Sequence, residues 1–125
     1  MSDTKNIIAD TNVWYDIAGG NTDILNAIKK QGALCATPIN MLEISSEVNA
    51  GNFQDRKNAA KAIADHTDRY LMSNEIYLAR YWGFNVNDSV QWREVALTLS
   101  RANSLSDLTN GYYDPIDNVR RKHNL

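Results

Sequence analysis

The chain has 125 residues and a formal net charge of −2, and 43% of its residues are hydrophobic. This length suits one domain with one core, and the charge excludes a protein that coats nucleic acid nonspecifically, although a local basic patch would serve an enzyme. The lone cysteine, Cys35, excludes an internal disulfide and is predicted to be buried. Because no segment is apolar enough for a signal peptide or a membrane span, we expect a cytoplasmic protein without membrane contact.

The opening pattern predicts one strand and two helices. The apolar segment 6–9 predicts a buried strand that leaves Asp10 at its carboxyl end. A helix capped by Thr11 or Asn12 should follow. A second helix should then begin after Thr22 as its cap.

A second strand is predicted over residues 33–36. Thr37 and Pro38 suit the start of the next helix, because proline at the first helical position sacrifices no hydrogen bond. Glu43 falls on that helix. Apolar side chains recur at helical spacing over residues 55–71, so a further amphipathic helix is expected there.

The second half is predicted to be helical, with starts at Ser73 and Asp88 and a short helix around Leu105 and Leu108 that stops near Gly111. Only two strands are predicted, which is too few for a parallel sheet. The missing strands would come from misassigned elements, from another chain or from sequence beyond Leu125. We expect the last of these, and so an amino-terminal fragment of a longer protein.

Two carboxylates form the candidate site. In an open parallel sheet, ligands bind beyond the carboxyl ends of the strands. Asp10 follows the first strand, and Glu43 lies a little over one turn past Thr37, so both side chains are expected at one crevice. A divalent cation such as Mg²⁺ or Mn²⁺ would favour both charged carboxylates and activate a water for attack on a phosphate.

Two segments resemble the PIN-domain nucleases. Residues 6–14, Asn-Ile-Ile-Ala-Asp-Thr-Asn-Val-Trp, are similar to the family's apolar strand followed by Asp, a small hydroxyl residue and Asn. Residues 36–44, Ala-Thr-Pro-Ile-Asn-Met-Leu-Glu-Ile, are similar to its Ser/Thr-Pro start before an acidic residue on a helix. The segments occur in the family's order, and the spacing of Asp10 and Glu43 (43 − 10 = 33) is in keeping with it.

The resemblance implies one PIN-like domain over residues 1–125, a three-layer α/β/α fold with a short parallel sheet, and a helical segment with a basic tail over residues 84–125. It also implies a Mg²⁺- or Mn²⁺-dependent ribonuclease. Asp10 and Glu43 would bind the metal and act in catalysis, and Thr11 or Asn12 would orient Asp10 or the phosphate. The implied partners are RNA and, for the toxin of a toxin–antitoxin pair, an antitoxin protein. An incomplete sheet edge would favour a homodimer.

The second half departs from the family's pattern, which supplies two further acids there. Asp88 and Asp107 are candidates at a fitting interval (107 − 88 = 19). However, no apolar strand precedes Asp107, and Asp88 suits a helix cap. The alternative function is a catalytically inactive PIN-like module that binds RNA or protein. Three or more convergent carboxylates would favour the nuclease, and two alone would favour the module.

The aromatic and basic side chains are assigned structural roles. Aromatic rings stack on bases in single-strand binders, and Tyr15 is one of the aromatic residues considered for that role, but most of them are interpreted as core. The basic groups of Arg56, Lys57 and Lys61 share one helix flank, where they could steer phosphate, but a solvated face is the preferred interpretation.

Overall fold

The computed structural model of the protein describes residues 4–71, 81–83, 91–112 and 117. These residues form a mixed α/β structure. In chain order the described elements are β1 (Asn6–Ile8), α1 (Thr11–Ala18), α2 (Thr22–Gln31), β2 (Ala33–Ala36), α3 (Pro38–Ser45), α4 (Phe53–His66), β3 (Arg69–Tyr70), α5 (Trp92–Ser100) and a last helix, α6, of which residues 105–112 are described.

The three strands form one parallel sheet in the order β1-β2-β3. Ile7 lies opposite Leu34 in the first pair, and Cys35 lies opposite Arg69 in the second. The parallel sheet and its first two strands were predicted from the sequence. The carboxyl ends of β1 and β2 therefore lie side by side, which brings the connections to α1 and α3 to one edge.

The central strand β2 is buried along its whole length. Leu34 and Ala36 belong to the core, which also contains side chains of α1, α3, α4 and α5. Ala33 and Cys35 alternate with them along the strand and are also buried. The prediction of a buried cysteine is confirmed.

The helix starts follow local capping chemistry, although two predicted caps were wrong by one residue. Asp10 caps α1 and Asn21 caps α2, so Thr11 and Thr22 are the first helical residues rather than caps. Helix α3 begins as predicted, with Thr37 as its cap and proline in the first turn.

The prediction of one helix over residues 55–71 was wrong at its carboxyl end. Helix α4 ends at His66, and the chain then adds the third strand. The backbone N–H of Asp68 donates to the carbonyl of Leu34 over 2.8 Å, and one carboxylate oxygen of Asp68 accepts from the N–H of Leu34, also over 2.8 Å. A carboxylate thus continues the β2–β3 ladder.

Beyond β3, the described elements are helices, as predicted. Helix α4 packs against both α1 and α5, and α5 buries Trp92 and Leu99 in the core. The predicted starts at Ser73 and Asp88 and the basic tail lie outside the described residues. None of the described helices is long and apolar enough to cross a membrane.

Gly32 precedes β2, where the chain passes close to the segment entering β1. A Cβ atom at this position would overlap the backbone carbonyl oxygen of Lys5, which accepts a hydrogen bond from Ala33 over 2.8 Å. We expect Gly32→Ala to lower the free energy of unfolding by about 1–3 kcal/mol through this overlap. Urea denaturation would measure the loss. Gly19→Ala is the control, because its Cβ would meet only ordinary contacts, and equal stability of the two variants would refute the packing argument.

Asp68 should make the stability of the fold depend on pH. The hydrogen bond from Lys29 and then that from the N–H of Leu34 lower the pKa of the Asp68 carboxyl. A lowered folded-state pKa contributes stability above the unfolded value of about 3.9, and this stability is lost as the pH falls through the folded pKa. We therefore expect Asp68→Asn to be less stable than the wild type at pH 7 and the difference to shrink toward about pH 2. Urea denaturation across this range tests it, and a difference that stays constant with pH would be the contrary result.

Candidate functional site

The buried side chain of Asn40 joins the connections that follow β1 and β2. Its oxygen accepts from the backbone N–H of Thr37 over 2.9 Å, which closes the capping box of α3. Its amide nitrogen donates to the carbonyl of Ala9 over 3.2 Å and to the hydroxyl of Thr11 over 3.1 Å. One side chain therefore fixes the start of α3 against the start of α1.

Asp10 occupies the turn between β1 and α1, as the sequence predicted. Its backbone is extended, and one carboxylate oxygen accepts from the N–H of Thr11 over 2.7 Å. Its carbonyl accepts from Val13 and Trp14, which starts the helix. The Asp10 side chain is exposed, so its second carboxylate oxygen is free to bind a ligand from solvent.

Glu43 lies beside Thr11 and Asn12 in a depression of about 440 Å³, here called the Glu43 depression. Its lining residues are Thr11, Asn12, Tyr15, Leu42, Glu43, Ser46, Glu47 and Arg56. The structure thus brings together three of the four predicted site residues. Asp10 does not line the depression, although it is bonded to Thr11, which does.

Arg56 closes the carboxyl end of α3 from the neighbouring helix α4. Its guanidinium donates to the carbonyl of Glu43 and, over 3.2 Å, to the carbonyl of Ile44. Cations are favoured at this end of a helix because the last carbonyl groups have no helical partners. The interpretation of Arg56 as part of a solvated face was wrong, since the side chain is half-buried and anchored.

Tyr15 and Arg56 also line a second depression of about 490 Å³, here called the Asn58 depression. Its lining residues are Tyr15, Ala18, Gly19, Asn52, Asp55, Arg56 and Asn58. Burial raises the pKa of the Tyr15 hydroxyl, and the positive charge of Arg56 opposes this effect. The hydroxyl therefore stays protonated at neutral pH and can donate a hydrogen bond.

No three acidic, histidine or cysteine side chains within the described ranges are grouped as they would be around a metal ion. Asp107 has a structural partner, because its carboxylate accepts from the N–H of Asn103 over 3.2 Å near the start of α6. Asp88 lies outside the described residues. The two described ion pairs are Lys29 with Asp68 and Lys61 with Asp65, so neither engages Asp10 or Glu43.

Sequence reasoning missed Asn40 as a site residue, and it gave preference to structural roles for Tyr15 and Arg56. Tyr15 does pack against the core, as expected, but it also lines both depressions. Asn40 had a local signal, since an amide three residues after a Thr-Pro start can complete a capping box. No local sequence signal indicated that Arg56 and Tyr15 would lie beside Glu43. They meet only because α1 packs against α4.

No family model matches this chain, and neither a curated protein nor a solved structure matches it.

We expect Asn40→Ala to lower the free energy of unfolding by about 2–4 kcal/mol, because it removes a cap and leaves two buried acceptors without a donor. Asn26→Ala on the exposed side of α2 is the matched control. Thermal or urea unfolding of both variants measures the difference. An Asn40→Ala loss no larger than that of Asn26→Ala would show that the buried amide does not hold the two connections together.

Proposed function

We propose that this chain is a metal-dependent ribonuclease of the PIN type, in which Asp10 and Glu43 bind Mg²⁺ or Mn²⁺. The observation that carries the proposal is the bridge made by Asn40. It links the two segments that contain the acids, at the adjacent carboxyl ends of two parallel strands. That edge is where open parallel sheets bind their ligands.

The donor groups fit a hard divalent cation. Mg²⁺ commonly keeps several waters and binds one or two protein carboxylates together with substrate phosphate. Asp10 has one oxygen engaged by Thr11 and one free, and Glu43 has no ion-pair partner in the described part of the chain. Glu47 adds a further negative charge to the Glu43 depression. The donors are therefore suited to a metal that is completed by water and phosphate.

Each neighbouring side chain has a definable task in phosphodiester hydrolysis. A bound cation would polarise the phosphate and lower the pKa of an attacking water. Asn40 holds the Thr11 hydroxyl in place beside Asp10. Asn12 lines the Glu43 depression and can donate its amide to a phosphate oxygen, while anchored Arg56 supplies positive charge there.

The proposal also includes a PIN-like arrangement of the layers and the partners of the protein. A PIN-like three-layer arrangement is supported by the parallel sheet and by the burial of alternating side chains of β2. Single-stranded RNA is the proposed substrate. We keep an antitoxin protein as the proposed partner of a toxin, and pairing of two chains as the proposed use of an open sheet edge.

A second candidate is an inactive PIN-like module that binds RNA or protein. The specific observation in its favour is that the described residues contain no group of three potential metal ligands. Two carboxylates alone would hold a cation weakly. The two candidates differ in whether cleavage accompanies binding.

We expect Asp10→Asn and Glu43→Gln each to weaken Mn²⁺ binding at least about tenfold. In metal sites, loss of a side chain that only hydrogen-bonds to a metal ligand already lowers metal affinity or activity about 10–100-fold. Both substitutions should abolish Mn²⁺-dependent cleavage of single-stranded RNA. Calorimetry and a gel-based cleavage assay on the same samples measure the two effects. The matched controls are Asp16→Asn on α1 and Glu94→Gln on α5, two exposed acids outside the candidate site.

Cleavage that persists in both site variants would overturn the metal assignment. RNA binding by the wild type without cleavage at any Mn²⁺ concentration would favour the inactive module.

A further inference from the structure

The Asn58 depression adjoins the proposed cleavage site, but the proposed metal chemistry does not use it. Tyr15 and Arg56 line both depressions, so the two are neighbours and one strand could occupy both. Its volume of about 490 Å³ falls within the usual range of small-ligand sites. The cavity is therefore large enough for a single nucleotide unit beside the scissile phosphate.

The two depressions differ in charge. The Glu43 depression has the carboxylates of Glu43 and Glu47 against the single guanidinium of Arg56. In the Asn58 depression, Asp55 balances Arg56, and the other lining groups are neutral. An unbalanced acidic cavity favours a cation, whereas a balanced one with polar edges favours a neutral polar group.

The lining groups match what a nucleobase presents. Tyr15 offers a ring for stacking, and the polar groups of Asn58 and Asp55 can meet the donors and acceptors of a base edge. The side-chain oxygen of Asn58 accepts from Gln54 over 2.9 Å, which leaves its amide hydrogens available. Asn52 plays no such part, because its side-chain oxygen accepts from the backbone N–H of Asn49 over 2.9 Å and its amide nitrogen donates to the carbonyl of Glu47 over 3.1 Å.

We propose that the Asn58 depression binds one base of single-stranded RNA, stacked on Tyr15, next to the phosphate held at the Glu43 depression. The identity of the ligand as RNA rests on the proposed function. Arg56 lines both cavities and is anchored on backbone carbonyls, so it would supply a fixed positive charge beside the sugar-phosphate backbone that joins the base to that phosphate. Stacking without base-specific readout tolerates different sequences, so the pocket would position the strand rather than select one sequence.

The test measures binding separately from cleavage. A fluorescein-labelled six-nucleotide single-stranded RNA is titrated with the full chain at low salt, once in EDTA and once in Ca²⁺, and its anisotropy is followed. Asn58→Glu is compared with Asn26→Glu, which adds the same charge on another exposed helix position. Tyr15→Ala is compared with Tyr15→Phe, which keeps the ring.

We expect Asn58→Glu and Tyr15→Ala to weaken RNA binding at least about fivefold, the lower end of what one stacked base contributes. Asn26→Glu and Tyr15→Phe should remain within about twofold of the wild type. Circular dichroism establishes that each variant is folded. Since Asn58 is exposed, its variant gives an answer even if Tyr15→Ala unfolds the chain.

The outcomes separate this inference from the function on which it rests. Equal RNA affinity of Asn58→Glu and Asn26→Glu, with metal-dependent cleavage intact, would overturn the base pocket and leave the nuclease standing. Binding that depends on Asn58 and Tyr15 without any cleavage would support the pocket and overturn the nuclease. Absence of RNA binding in the wild type, in EDTA and in Ca²⁺ alike, would overturn both.

Discussion

The fold and the candidate site both depend on one buried amide. Asn40 is the point at which the end of β1, the start of α1 and the start of α3 are joined. An apolar side chain of similar size would leave the Ala9 carbonyl and the Thr11 hydroxyl without a donor in a poorly solvated place, where unpaired polar groups are costly. With all of these hydrogen bonds formed, Asn40 fixes the segment that contains Asp10 relative to the segment that contains Glu43 as the chain folds.

Most of the first half was predictable because its signals are local. Short apolar runs gave β1 and β2, and the Thr-Pro start gave α3. Strand β3 was missed for a physical reason: Tyr70 lies seven residues after Ile63, which continues the helical stripe in the sequence. In the structure the chain turns after His66, and the Tyr70 hydroxyl reaches back to donate to the carbonyl of Ile63 over 3.1 Å. Tyr70 therefore does lie near Ile63, as the helical spacing indicated, but the two residues meet across a turn and not along one helix.

The site was predictable in part for the same reason. Asp10 and Glu43 stand out through the elements immediately before them, and Thr11 and Asn12 through their place after Asp10. Arg56 was assigned to a solvated flank because periodicity along α4 shows only which side of that helix it occupies. Its partners are carbonyl groups in the last turn of α3, and the connection over residues 46–52 folds back so that α4 places Arg56 next to them. Partners that are set by tertiary packing leave no pattern within either helix.

The anchoring of Arg56 has an electrostatic consequence for both depressions. A free arginine beside Glu43 would form a paired salt bridge with its carboxylate and neutralise the cavity. Because the guanidinium is held on the backbone carbonyls of Glu43 and Ile44, the Glu43 carboxylate stays without an ion-pair partner in the described structure. In the Asn58 depression, which the same guanidinium also lines, the carboxylate of Asp55 balances its charge. One fixed cation thus borders an acidic cavity, which fits the proposed metal, and a charge-balanced cavity, which fits the proposed base. The phosphate that links the two proposed ligands would lie beside it.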